Sequence, residues 1–304
     1  MDYFSRIVQD FSVLPHVQAW EDAQRMFQYA ASGKPNHWLL PNRSCEAVGG
    51  KSGQAVPAVM ATACAHIAIL LVDDMLDSDP RGEYHHIGAP ATANLACAFQ
   101  AAALQAIANI EKGTAAIISL NEMFLSTTFG QFLDVQTPGD ESAYWRTTQI
   151  KSSPFFGAAL QVGALAGGGT LETANQLKKV GCLYGEMIQI QDDMHDSMEI
   201  PANPDWVQGR SPLPILFASL VDHPEQKRFV ELNGRITEPG ALQEAQEILI
   251  RCGAISYCAD RLIQKHQEAK EVLNKTPLTN PTPVSSLLEE VIAPVDNLLK
   301  ACEL

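Results

Sequence analysis

The chain has 304 residues, of which 46% are apolar and 18% charged, with a net charge of −14. That is ample apolar material for one large core, and the acidic balance excludes a nucleic-acid-binding role, which needs basic patches. Seven cysteines, several in apolar runs and none at metal-ligand spacing, read as reduced side chains of a cytoplasmic protein.

The N-terminus, Met1-Asp2-Tyr3-Phe4-Ser5-Arg6, lacks the basic and then apolar pattern of a secretory leader. Helical periodicity dominates the rest of the chain, and alternating strand patterns are scarce. Helices are predicted over 2–12, 17–31, 38–47, 54–77, 90–110, 114–135, 141–151, 153–167, 171–196, 212–221, 224–233, 239–251, 254–273 and 283–302. Breakers fall between them: Gly49-Gly50, Asp79-Pro80-Arg81-Gly82, Thr137-Pro138-Gly139-Asp140, Gly167-Gly168-Gly169 and the Pro-bearing stretches 201–209 and 276–283. The most apolar stretches, 91–110 and 154–169, are interrupted by Asn94, Gln100 and Gln105 or are short and glycine-rich. They read as buried helices, so no transmembrane segment is expected. No linker divides the chain, and the expectation is a single all-α domain over 1–304.

One short pattern occurs twice in apolar helical surroundings: Asp73-Asp74-Met75-Leu76-Asp77 and Asp192-Asp193-Met194-His195-Asp196. On a helix, positions i and i+4 share a face, so Asp73 pairs with Asp77 and Asp192 with Asp196. If the two helices face each other across a cavity, six carboxylates line its mouth. Like charges that close cannot all remain ionised without cations. Magnesium suits such a set, because it takes hard oxygen ligands and usually binds a few carboxylates together with substrate phosphate oxygens. A diphosphate gripped in this way can be activated to leave, and the apolar residues below would hold a hydrocarbon tail. A single copy is as readily a solvated helix end; two copies on apolar helices argue against that.

Further motifs accompany these two. They are Ser32-Gly33-Lys34 through Gly49-Gly50; His66, seven residues before Asp73; Gly130-Gln131-x-x-Asp134; and Lys151-Ser152-Ser153-Pro154-Phe155-Phe156 followed by Gly163-Ala164-Leu165-Ala166-Gly167. Gly185 through Asp196 and Asp205…Gly209-Arg210…Pro214 complete the series. In this order the chain resembles the trans-isoprenyl diphosphate synthases, the polyprenyl synthetase family that includes farnesyl and geranylgeranyl diphosphate synthases, from about Gly33 to Leu216. The resemblance implies the isoprenoid synthase fold, a helical bundle around a prenyl cavity, and a homodimer. It implies three Mg²⁺ held by Asp73, Asp74, Asp77, Asp192, Asp193 and Asp196 around an allylic prenyl diphosphate. Lys151 and Arg210 would hold the diphosphate oxygens, with Gln131 and Gln189 lining the site. Lys34, His66 and Arg81 would serve isopentenyl diphosphate. Product length would be limited just upstream of the first motif, at Ala68 and Ile69, where a small residue suits a C15 or C20 tail.

The departures from the family's pattern cluster on the isopentenyl diphosphate side. Pro35 and His37 stand where the family has two arginines, and the segment after Asp77 is shorter and carries only Arg81. Neither Pro nor a neutral His replaces an arginine at a bidentate phosphate site. The leading expectation is Mg²⁺-dependent prenyl transfer with isopentenyl diphosphate as the default acceptor. The alternatives are a terpene synthase or a prenyltransferase with another acceptor, and, from a different class, a non-catalytic partner subunit. His85-His86 reads as a polar loop, His195 as a bystander, and Trp20, Trp38, Trp145 and Trp206 chiefly as core.

Overall fold

The computed structural model describes residues 2–134, 139–210 and 212–302, and among them there is no strand. In order the α-helices are α1 (Tyr3–Ser12), α2 (Glu21–Ser32), α3 (Leu40–Ala47), α4 (Val56–Leu76), α5 (Tyr84–Ile87), α6 (Ala89–Ile107), α7 (Gly113–Asp134) and α8 (Glu141–Lys151). They continue with α9 (Ser153–Ala166), α10 (Leu171–Asp196), α11 (Pro204–Val207), α12 (Leu213–Leu220), α13 (Gln226–Asn233), α14 (Ala241–Arg251), α15 (Ala254–Lys275) and α16 (Thr282–Cys302). The predicted helix over 17–31 is divided: 17–19 form a 3₁₀ turn, and the extended backbone of Trp20 starts α2 afresh. The single-turn helices α5 and α11 carry too little periodic signal to be read from sequence. The expected breaker at 137–138 lies outside the described residues.

Local chemistry sets the ends of the helices that matter most. Asp140 caps α8 by accepting the Ala143 N–H at 2.8 Å, and Thr170 accepts the Thr173 N–H at the start of α10 at 3.0 Å. α4 opens with Pro57 in its first turn and ends at Asp77, followed by Ser78 in a left-handed conformation (φ 55°).

The chain forms two compact units, each assembled from separate stretches. The first takes Met1–Thr127, Pro154–Gly181 and Val272–Ser286; the second takes Thr128–Ser153, Cys182–Glu271 and the stretch from Leu287. In the first, α4 pairs along its length with α6. Its residues Ala58 to Ala65, Ile67, Ala68 and Leu71 are buried. The segment Gly53–Leu76 is long and apolar enough to cross a membrane, but 67% of its apolar window is buried inside the protein, as befits a core helix. An aromatic column of Phe11, Phe27, Phe99 and Trp38 packs beside it, with Phe11 and Phe27 stacked at 4.2 Å. The second unit is built on Trp206, Ile215, Phe229, Leu232, Ile248 and Leu249. Trp206 is therefore core, with its indole N–H donating to Asn233.

Candidate active site

In the second unit, α10 ends in the acidic run beside a pocket. The pocket is lined by Asp134, Tyr144, Thr147, Thr148, Lys151, Ser152, Gln189, Asp193, Arg210 and Pro212. Lys151 reaches it because α7 and α8 touch backbone to backbone: a Cβ on Gly130 would lie 2.4 Å from the Lys151 Cα, so only glycine fits there. The ammonium of Lys151 meets Asp134 at 2.5 Å, and the Arg210 guanidinium stands 3.8 Å from the same carboxylate. Ser152 donates to the Gln189 carbonyl at 2.9 Å, and the Gln189 amide donates to Asp193 at 2.8 Å.

The three aspartates of this motif differ in surroundings. Asp193 points inward and is buried, accepting the Leu213 N–H at 2.8 Å as well as the Gln189 amide. Burial pushes its carboxyl up to about 6 despite those donors. Asp192 is exposed at the rim. The protein around the helix end and the charge of Asp196 push it up to about 6. His195 is solvent-facing, 3.8 Å from Glu199.

In the first unit, Asp73, Asp74 and Asp77 end α4 half-buried. Burial, then the charges of Asp79 and Asp73, push Asp74 up to about 6. Asp79 and the 88%-exposed Arg81 form a two-pronged pair at 3.1 and 2.8 Å. The Lys34 ammonium lies 3.8 Å from Asp2 and is 66% exposed. His66 sits among rings: Trp38 donates to its Nδ1 at 3.1 Å, and His37 lies edge-on at 4.3 Å. Burial lowers His37 to about 4, and burial with His37 beside it lowers His66 to about 3, so both are uncharged at neutral pH. Ala68 is fully buried and Ile69 half-buried.

Sequence reasoning assigned Lys151, Gln189 and Arg210 to one place, and the pocket gathers all three. Gln131 is buried and does not line the pocket; within its motif Asp134 does. Asp134, Tyr144 and Ser152 were not assigned as site residues. Glycine at position 130 and the acid four residues on were the signals for Asp134; Tyr144 had none.

Magnesium fits the donors present. Crowded carboxylates raised towards neutrality are relieved by a hard cation. Among the described residues no three His, Cys, Asp or Glu side chains form a ready-made metal cage.

Comparisons with known proteins establish the family. The model of the polyprenyl synthetase family matches residues 21–249, and the chain belongs to that family, a family of prenyltransferases. Relatives include a short chain isoprenyl diphosphate synthase of Methanothermobacter thermautotrophicus, 28% identical over 80% of this chain and 80% of its own. A geranylgeranyl diphosphate synthase of Methanosarcina mazei is 27% identical over 76% of each. The polyprenyl synthase of Caulobacter crescentus, solved with calcium and isoprenyl diphosphate, superposes with a TM-score of 0.79. It has 22% identity and covers 95% of this chain and 93% of its own. The fold is thus the all-α isoprenoid synthase fold.

Proposed function

We propose that this prenyltransferase ionises an allylic prenyl diphosphate of the C15 or C20 class with the help of Mg²⁺ and transfers the prenyl group. The carrying observation is the pocket in which Lys151, Arg210 and Gln189 converge beside the acidic end of α10. Lys151 and Arg210 bind the diphosphate oxygens, with Asp134 holding both cations in place beforehand. Ser152 fixes the Gln189 amide, and Gln189 with Leu213 fixes Asp193. Asp73, Asp74, Asp77, Asp192, Asp193 and Asp196 are the residues that would hold magnesium, three ions in all. When bound, the metal neutralises the departing diphosphate and polarises its ester oxygen. A residue as small as Ala68 suits a longer tail, so Ala68→Phe is expected to shorten the preferred donor. The homodimer is supported by Leu125, Phe129 and Phe132, exposed at i, i+4 and i+7 on α7.

Isopentenyl diphosphate is the acceptor that family membership implies by default. Capture by another nucleophile, as in a terpene synthase, is favoured by the uncharged His37 and His66. The test is incubation with Mg²⁺ and geranyl, farnesyl or geranylgeranyl diphosphate, with and without isopentenyl diphosphate, following diphosphate release. Release from at least one donor is expected. Complete inertness in every mixture defeats the proposal and favours a non-catalytic subunit.

A further inference from the structure

Directly after the first acidic run the chain turns back on itself. Ser78 takes a left-handed conformation (φ 55°), and the Asp79 N–H then donates to the Asp74 carbonyl at 2.9 Å. The Asp79 carboxylate accepts the Arg81 N–H at 2.7 Å and holds the Arg81 guanidinium at 3.1 and 2.8 Å. The Gly82 N–H donates to the Asp79 carbonyl at 3.0 Å. A Cβ on Gly82 would lie 2.9 Å from the Asp74 Cβ and 2.6 Å from the Tyr84 ring, so a larger residue would push the segment away. Residues 78–82 are therefore a strap pressed on Asp74, and whatever pins the strap bears on the carboxylates beside it.

The pin is Glu83. Its side chain is only 8% exposed, too deep for a carboxylate without a cation. The cation is Arg25 on α2, 58 residues earlier in the chain. One guanidinium nitrogen donates to Glu83 Oε1 and the other to Oε2, the second at 3.4 Å. Asp22, three residues before Arg25, accepts from the same guanidinium at 3.3 Å and helps to aim it. α2 is itself fixed through Ala23, Phe27 and Ala31, all buried. On the far side of Glu83, α5 packs on α4 and α6. A two-pronged arginine–carboxylate pair fixes both distance and plane, which a single contact does not. All of these residues belong to the first unit.

Resting on the magnesium reading above, we propose that Arg25 is a positioning residue for the first acidic run. By clamping Glu83 it holds residues 78–82 against Asp74 and so sets the divalent-ion affinity of Asp73, Asp74 and Asp77. Clamp and simple charge differ in sign. By Coulomb's law alone, losing the Arg25 charge near an acidic run tightens cation binding, losing the Glu83 charge weakens it, and losing both largely cancels. A clamp weakens binding in all three cases, because a slack strap leaves the carboxylates to be ordered by the ion itself.

The full-length protein is titrated with Mn²⁺ in the presence of inorganic diphosphate, and free ion is followed by electron paramagnetic resonance. Binding that Asp73→Ala removes marks the first acidic run. Arg25→Gln and Glu83→Ala should each weaken that binding at least about tenfold. The two changes together should weaken it no more than the larger one alone, as expected of residues that act as one unit. Arg25→Lys keeps the charge without the fork and should fall between Arg25→Gln and the unaltered protein. Hydrogen exchange without metal gives a second reading. The Asp79 and Gly82 amides should exchange at least about tenfold faster in Arg25→Gln, while those within α6 keep their protection. A smaller change in Mn²⁺ binding, tighter binding in Arg25→Gln, or losses that multiply in the double variant overturn the proposal. So does unchanged exchange at Asp79 and Gly82. If Arg25→Gln does not fold, Arg25→Lys decides, and binding and exchange like those of the unaltered protein overturn the clamp. If the unaltered protein has no Mn²⁺ binding that Asp73→Ala removes, the magnesium reading fails, and the role proposed for Arg25 falls with it.

Discussion

The two units end a helix in the same five-residue acidic pattern and surround it with opposite chemistry. At the end of α10, two cations and a relay of hydrogen bonds face the carboxylates. On α4, seven residues before the acidic end, His66 packs among His37, Trp38 and Phe155 in a neutral, ring-rich cluster. A sequence repeat is therefore not a functional repeat. The same acidic run sits beside a charged pocket in one unit and near a neutral aromatic cluster in the other.

The sharpest test of the shared part is to remove each acidic end. Asp73→Ala and Asp192→Ala should each lower diphosphate release by at least about 10³-fold, some 4 kcal/mol in the barrier, with circular dichroism and melting temperature little changed. Near-normal release in either variant breaks the symmetry of the two ends.

The neutral cluster makes its own prediction, in stability. His37 and His66 are depressed to about 4 and about 3 in the folded protein, against an ordinary 6.5. The unfolded chain therefore binds protons first as pH falls. The contribution is whole above about pH 6.5 and is lost progressively from there down to about pH 3. A loss of ~3 kcal/mol by pH 4 is expected from each of the two histidines. Chemical denaturation across that range measures it, and His37→Leu should flatten the acid limb. An unchanged slope would mean that the cluster is not sealed.

Cation removal tests the charged side. Lys151→Ala should reduce kcat/KM for the allylic donor about 10²-fold, or ~2.7 kcal/mol, through loss of a charge-assisted contact to diphosphate. Steady-state kinetics decide this, and a change below threefold would place the diphosphate elsewhere.

The smallest expected effect separates neighbours within one motif. Asp193→Ala leaves the Leu213 N–H and the Gln189 amide without their acceptor and should cost ~1–3 kcal/mol of stability. Asp193→Asn keeps an acceptor oxygen and should recover most of that. If Asp192→Ala destabilised the fold as much, the inward and outward roles of the two side chains would be indistinguishable.

Most helices were legible because their limits are written locally. The span 171–196 is set by apolar periodicity, and the start of α8 by the Asp140 cap. The division of 17–31 at Trp20 was not legible, because nothing in a tryptophan's own preferences demands an extended backbone; packing imposes it. Within the pocket, Lys151 and Arg210 announced themselves through motif and charge. Tyr144 and Ser152 reach the site only because α8 is pressed onto α7 at Gly130, a contact between segments that no local pattern encodes. His66 shows the converse. Its position was legible, but its protonation state was not, since that depends on Trp38, 28 residues earlier.

The bond from Trp38 to His66 also gives the protein an optical handle. An indole whose N–H is tied to a neutral imidazole emits differently from one facing an imidazolium, which quenches it. Of four tryptophans, Trp38 alone is tied in this way among the described residues. The emission lost in Trp38→Phe, followed against pH, therefore reports directly on the state of the His66 ring.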